Sequence, residues 1–195
     1  MNLIHLGDAL DHWKGALFER LQRVQLLTSL AVDPMTTDAP LWTKADSHLY
    51  ATLLHVAPAQ ILQHQALLTT DRRGYFGEIT HATDLFLDPD IGIATAGIRN
   101  GSPHHLKADE FHALLGAHSS RIVAVYQHIR GISTEERINQ IRHVLALDGG
   151  PCCCSYESPT VAMLFFCRTP KRLKAIHANF NALLGQRAKG RTSIW

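Results

Sequence analysis

The stretch Asp84-Leu85-Phe86-Leu87-Asp88-Pro89-Asp90 decides the fold. A short apolar run ends in two aspartates around a proline. Proline cannot donate to a β-ladder, so the strand must stop at Asp88 and deliver that carboxylate at its carboxyl end. Consecutive apolar positions mark a strand buried on both faces, as in a parallel sheet covered by helices. Two further runs read the same way: Val24 to Val32 (VQLLTSLAV), which breaks at Asp33-Pro34, and Arg121 to His128 (RIVAVYQH). These three are expected as central strands.

Helical segments separate them. Asp8 can cap a helix running to about Gln22, with Leu10, Leu17, Phe18 and Leu21 at helical spacing. A polar loop over Thr36 to Thr43 precedes helices over Lys44–His55 and Pro58–Leu68. Asp71 to Gly74 reads as a turn, Ile91 to Gly101 as a glycine-rich loop, and Pro103–Leu115 as a helix. Thr134–Leu147 follows as a helix stopped by Gly149-Gly150. Cys152–Glu157 and Val161–Cys167 form a hairpin around Ser158-Pro159, and Pro170–Leu184 closes the chain with Gly185 as its cap. The expected fold is one α/β domain over 1–195, three-layered and Rossmann-like. Its sheet is mostly parallel, with a C-terminal β-hairpin and helices on both faces. Residues 186–195 are expected to be a flexible basic tail.

Composition narrows the function classes. Of 195 residues, 46% are hydrophobic and 18% charged, which excludes a disordered chain. The net charge of +2 is too small to imply a polyanionic partner by itself. From Arg168 to Trp195, however, there are seven lysines and arginines and no acid, a region that reads first as a solvated helix face with a frayed tail and second as a contact for the phosphates of RNA or DNA. Cys152, Cys153 and Cys154 are consecutive, which fits neither a zinc motif nor a bridge between neighbours, so buried thiols in a reducing compartment are expected. The first ten residues do not read as a signal peptide, and no apolar run would span a bilayer; a cytoplasmic protein with no membrane partner is the expectation.

In open α/β sheets ligands bind beyond the carboxyl ends of the strands. That rule singles out Asp33, Asp88 with Asp90, and His128, whose imidazole suits proton transfer. Asp88 and Asp90 are equally readable as a strand exit that caps its turn. No nucleophile-elbow serine and no phosphate-binding glycine-lysine loop occurs.

The segment Gly7-Asp8-Ala9-Leu10-Asp11-His12-Trp13-Lys14 resembles the N-terminal motif of Rossmann-fold RNA adenine N6-methyltransferases, with Gly7, Asp11 and Lys14 at the matching places. That family also carries Asp-Pro-Pro-aromatic after a central strand, where Asp88-Pro89-Asp90-Ile91 stands here. The resemblance implies S-adenosylmethionine beside Gly7, Asp11, Lys14 and Asp33, a target amine held at Asp88, and a nucleic-acid substrate. Two departures stand out: Asp90 and Ile91 replace a proline and an aromatic residue, and no glycine follows the first strand.

A second class of chemistry fits the same acids. Asp8, Asp11 and His12 share a helix face, and Asp84, Asp88 and Asp90 share a strand face. Asp8, Asp84, Asp88 and Asp90, with Glu78 nearby, can be read as ligands of Mg²⁺ or Mn²⁺ in a nuclease or phosphodiesterase. His105, Asp109 and His112 form another candidate cluster on one helix. A catalytically inactive binding module is the third reading.

Overall fold

In the computed structural model, residues 3–37, 42–64, 67–79, 83–95, 102–147 and 152–195 are described. Along the chain run α1 (Ala9–Arg23), β1 (Leu30–Asp33), α2 (Lys44–Leu53), α3 (Arg72–Gly77) and β2 (Asp84–Leu87). The two-residue strands β3 (Gly92–Ile93) and β4 (His105–Leu106) come next, then α4 (Ala108–Gly116), β5 (Val123–His128) and α5 (Thr134–Val144). The chain continues through β6 (Cys153–Glu157), β7 (Val161–Phe166), α6 (Pro170–Leu184) and β8 (Thr192–Ile194).

Six strands form one sheet in the order β1-β2-β5-β7-β6-β8, while β3 and β4 pair separately. The sheet is mixed rather than purely parallel. β1, β2 and β5 are parallel, and the pairings β5–β7, β7–β6 and β6–β8 are antiparallel. Because β7 runs against both neighbours, β6 points the same way as β5. The hairpin thus lies where the sequence places it, but with its second strand next to β5.

Period-two alternation sends strand side chains into two core clusters. Leu30, Val32, Phe86 and Phe165 pack with Phe18 of α1, Tyr50 of α2 and Phe180 of α6. Ala31, Leu85, Leu87 and Phe166 pack with Tyr75 of α3, Phe111 of α4 and Ile141 of α5. Helices α1 and α2 approach closely at Gly15, where an added Cβ would fall 1.9 Å from the Leu53 carbonyl oxygen. A backbone oxygen cannot swing aside, so Gly15→Ala should cost on the order of 3 kcal/mol. That corresponds to a melting temperature lower by about 6–12 °C, measurable by thermal unfolding.

Several expected elements are corrected. The run Val24–Val32 is a strand only from Leu30. Leu26 and Leu27 amides both donate to the Leu21 carbonyl, closing α1, and Gln25 sits at φ 57. The apolar side chains of Leu26 and Leu27 still join the core, from a loop rather than a strand. β1 is an edge strand: Ile61 bridges to Val32, and the Leu62 amide donates to the Val32 carbonyl. That use of Ile61–Leu62 limits the expected helix over Pro58–Leu68 to one 3₁₀ turn, Pro58–Gln60. Asp71 caps a helix, accepting from the Gly74 amide, rather than opening a simple turn. The helix expected from Pro103 starts at Ala108, because His105–Leu106 pairs with Gly92–Ile93. Residues 192–194, expected within a flexible tail, form β8 against β6. The Gly149-Gly150 stop and positions 96–101 of the glycine-rich loop lie outside the described residues. No described helix is long and apolar enough to cross a membrane.

Candidate functional site

Three parallel strands end side by side, and their ends carry Asp33, Asp88 and His128. The Asp88 amide donates to the Asp33 carbonyl at 3.0 Å, tying the first two ends together. The start of α1 is set against them. Asp8 caps that helix by accepting from the Leu10 and Asp11 amides. Gly7, at φ 88, turns its amide back onto Asp11 Oδ2 at 2.9 Å. Asp11 and Lys14, three residues apart, then share the helix face turned to Asp88.

Lys14 Nζ donates to Asp11 Oδ1 at 3.0 Å and to Asp88 Oδ2 at 2.7 Å, and lies 4.5 Å from the centre of the Tyr126 ring. The Tyr50 hydroxyl donates to the same Asp88 oxygen at 2.5 Å. Asp88 is therefore buried, with its side chain 2% exposed. Burial alone would lower the Lys14 pKa, but Asp88 and Asp11 outweigh it and hold the ammonium above its ordinary range. Burial also raises Asp11, with Lys14 opposing. Two carboxylates against one ammonium leave a negative excess, which the Tyr50 hydroxyl and Gly7 amide help to solvate.

Above this cluster lies a cleft of about 200 Å³, lined by His5, Asp8, Leu10, Asp11, Lys14, Asp88, Pro89, Asp90, Tyr126, His128 and Arg130. Burial, followed by the charges of Arg130 and Lys14, pushes His128 down to about 4. His128 is thus a neutral imidazole at physiological pH and a weak base, which argues against the acid–base role expected of it. Burial and Asp88 raise Tyr126, keeping its hydroxyl protonated. Four carboxylates face Lys14 and Arg130 as the fixed cations, so the cleft favours a cationic group over a phosphate. A larger depression of about 460 Å³ follows α5 (Ser133, Glu135, Glu136, Asn139, Gln140, His143), but a single helix and its cap supply its lining and no chemistry converges there.

Asp90 reaches the cleft from beyond β2. Its Oδ2 accepts from the Thr37 hydroxyl at 2.9 Å and meets His104 Nδ1 at 2.6 Å. The β3–β4 pairing holds this geometry, with the Ile91 amide donating to the His104 carbonyl. Gly92 is required there: at φ 126, its missing Cβ would fall 2.3 Å from the Gln127 side chain, which binds the Ile93 amide.

Other expected site residues lie elsewhere. Asp33 does not line the cleft; its carboxylate is buried against Tyr75, Met35 and His64. Asp84 begins β2, at the end opposite Asp88, where Arg172 grips both its oxygens at 2.8 Å and the Ile122 amide donates to it. The metal set Asp8, Asp84, Asp88 and Asp90 is thus not brought together. Lys14 fills the place between Asp11 and Asp88 that a metal ion would need. Among the described residues no group of three or more His, Cys, Asp or Glu side chains could hold a metal ion. Glu78 pairs with His64. His105 lies in β4, so it shares no helix face with Asp109 and His112. His12 is exposed, while its neighbour Asp11 is buried.

Tyr50, His104 and Arg130 join the cluster or its surroundings without having been singled out by sequence. No local pattern marks Tyr50, which meets Asp88 across 38 positions. No protein-family model matches the chain, and no curated protein matches it with significant similarity.

Proposed function

We propose that the chain is a Rossmann-like domain of the methyltransferase type. Its cleft at the carboxyl ends of β2 and β5, beside the start of α1, takes a small cationic ligand, S-adenosylmethionine first among those to test. One observation carries the reading. The Lys14–Asp88 contact joins the segment bearing Gly7, Asp11 and Lys14 to Asp88-Pro89-Asp90 across 74 positions. In the resembling family these two motifs serve the cofactor and the target amine. The reversed β7 between co-directional β5 and β6 suits a three-layer arrangement of that type.

The residues fit part of that cofactor. A volume of about 200 Å³ suits an amino-acid-sized group such as the methionine portion. The lining acids suit its ammonium and sulfonium charges, and Arg130 suits its carboxylate. When bound, the cofactor would supply an electrophilic methyl group. Asp88 Oδ1 and the Pro89 carbonyl, which accept no hydrogen bond among the described residues, would orient a target amine. The loop after β1 has no glycine, yet Met35 takes a left-handed φ of 46, the conformation for which glycine is otherwise favoured.

A nucleic acid is the substrate that this proposal includes, and a cytoplasmic location goes with it. Arg187, Lys189 and Arg191 are exposed, and the Glu157 amide at the cleft end of β6 donates to the Arg191 carbonyl. The phosphodiesterase reading has less support, because Lys14 stands between its would-be ligands.

Titration calorimetry tests the proposal. Wild type should bind S-adenosylmethionine, and Arg130→Gln, an exposed change, should weaken it about tenfold, ~1.4 kcal/mol. No heat of binding at millimolar cofactor removes the reading. Binding with no methyl transfer to adenine-containing RNA or DNA would instead fit a binding module, in keeping with Asp90 and Ile91 at the target site.

A further inference from the structure

On the other side of the Pro34–Thr37 loop lies a charge network that the cleft chemistry does not use. Asp33 ends β1 with a fully buried carboxylate. Its Oδ1 accepts from the Met35 amide at 2.8 Å and the Tyr75 hydroxyl at 2.6 Å, and lies 3.4 Å from His64 Nε2, a charge contact without hydrogen-bond geometry. Asp33 Oδ2 has no hydrogen-bond donor among the described residues, so the carboxylate is under-compensated by neutral groups. The His64 ring stacks on Tyr75, with centroids 3.7 Å apart and planes at 19°, and its Nδ1 lies 3.1 Å from Glu78 Oε2. The side chain of His64 is only 4% exposed.

An imidazole with a carboxylate at each nitrogen can face both favourably only when doubly protonated. The neutral ring has one N–H and one lone pair, and the lone pair would then point at a carboxylate. The titratable groups facing His64 are Asp33 from β1, Tyr75 from α3 and Glu78 just after it. Tyr75 is held protonated by burial and by Asp33.

We propose that His64 is a proton-operated latch on the Pro34–Thr37 loop, and through it on the cleft. The connection is a run of contacts. His64 follows Ile61 and Leu62, which are fastened to Val32. Tyr75 donates to Asp33 and its hydroxyl accepts from the Thr36 amide at 3.2 Å. The next residue, Thr37, donates to Asp90 in the cleft. With the proton on, His64 neutralises Asp33 and the loop is held. With the proton off, the ring can keep its one N–H toward Asp33 only by turning its lone pair on Glu78, and in either tautomer the buried Asp33 carboxylate loses its counter-charge, so the loop relaxes away from Asp90.

The direction with pH follows from the neighbours. Burial would lower His64, but Asp33 and then Glu78 outweigh it and raise its pKa above the ordinary 6.5. The latch therefore adds its full stability below 6.5 and loses it as pH rises through the raised folded value. The latch does not depend on the ligand's identity; only its effect on affinity rests on the cleft being the ligand site.

Nuclear magnetic resonance tests it, with the His64 ring signal assigned by its loss in His64→Gln. The His64 midpoint should lie above 6.5, and the amides of Met35, Thr36, Thr37 and Asp90 should shift with that same midpoint. In His64→Gln these amides should no longer follow it. Glu78→Gln, a half-exposed change that leaves the Asp33 side intact, should move the midpoint down while the amides still track it. This variant decides the matter if His64→Gln does not fold. A wild-type midpoint at or below 6.5, or loop amides indifferent to it, would overturn the latch. Affinity for S-adenosylmethionine should differ on the two sides of the midpoint. Tracking amides with no cofactor binding at any pH would support the latch and remove the cofactor reading alone.

Discussion

Replacing Lys14 with methionine should destabilise the protein by about 3–5 kcal/mol, because it leaves Asp11 and Asp88 buried without their shared cation. Methionine fills much the same volume, so lost packing contributes little. The melting temperature should fall by about 6–20 °C. The deficit should shrink as the pH is lowered, since the unpaired carboxylates can then take up protons in the folded state. Adding Asp88→Asn to the variant should recover part of the loss at neutral pH. Denaturant unfolding at pH 5 and pH 7.5 measures both effects. A loss below about 1 kcal/mol would mean that Lys14 is no keystone of the cluster.

The second large effect is expected at the opposite end of β2. Arg172→Met removes two hydrogen bonds to Asp84, one to the Ser120 carbonyl and one to the Leu26 carbonyl. Asp84 is nearly fully buried and Arg172 about a quarter exposed, so the expected loss is about 2–3 kcal/mol, below that of a fully buried pair. The same variant bears on the metal reading. If Asp84 were a ligand, Mn²⁺ should restore stability to Arg172→Met by occupying the vacated carboxylate. With a purely structural Asp84, thermal unfolding with and without Mn²⁺ should give the same melting temperature.

Sequence reading succeeded where structure is local. The β2, β5 and β6–β7 segments carry their strand character in continuous apolar runs, and α1 and α6 carry caps and helical spacing. It failed where one residue type serves two purposes. Leu26 and Leu27 look like strand residues, because apolar content alone does not separate a strand from a core-packed helix exit. Asp84 and Asp88 have the period that should put them on one face. A strand of four residues nevertheless separates them into opposite ends with unrelated partners. The motif Gly7, Asp11, Lys14 was legible, and so was Asp88; that they meet was not, since no local pattern encodes a contact across 74 positions. The surroundings of Lys14 were not legible for the same reason. A lysine in a ligand motif looks exposed, and only the fold shows it buried between two carboxylates. His128 was legible as a strand-end imidazole; the burial and the cations that lower its pKa come from distant parts of the chain and were not.

β8 also determines how this sheet meets other molecules. An open strand edge offers unpaired amides and carbonyls on which another chain can build. At one border Ile61 and Leu62 cover β1. At the other, β8 spans three residues and follows the exposed cations Lys189 and Arg191, a short and charged fringe that discourages stacking of copies edge to edge. Beneath it lies β6, longer and buried over Cys153–Ser155. The segment that looked like a loose end is thus a selvedge, keeping a sticky strand from becoming the margin of the sheet.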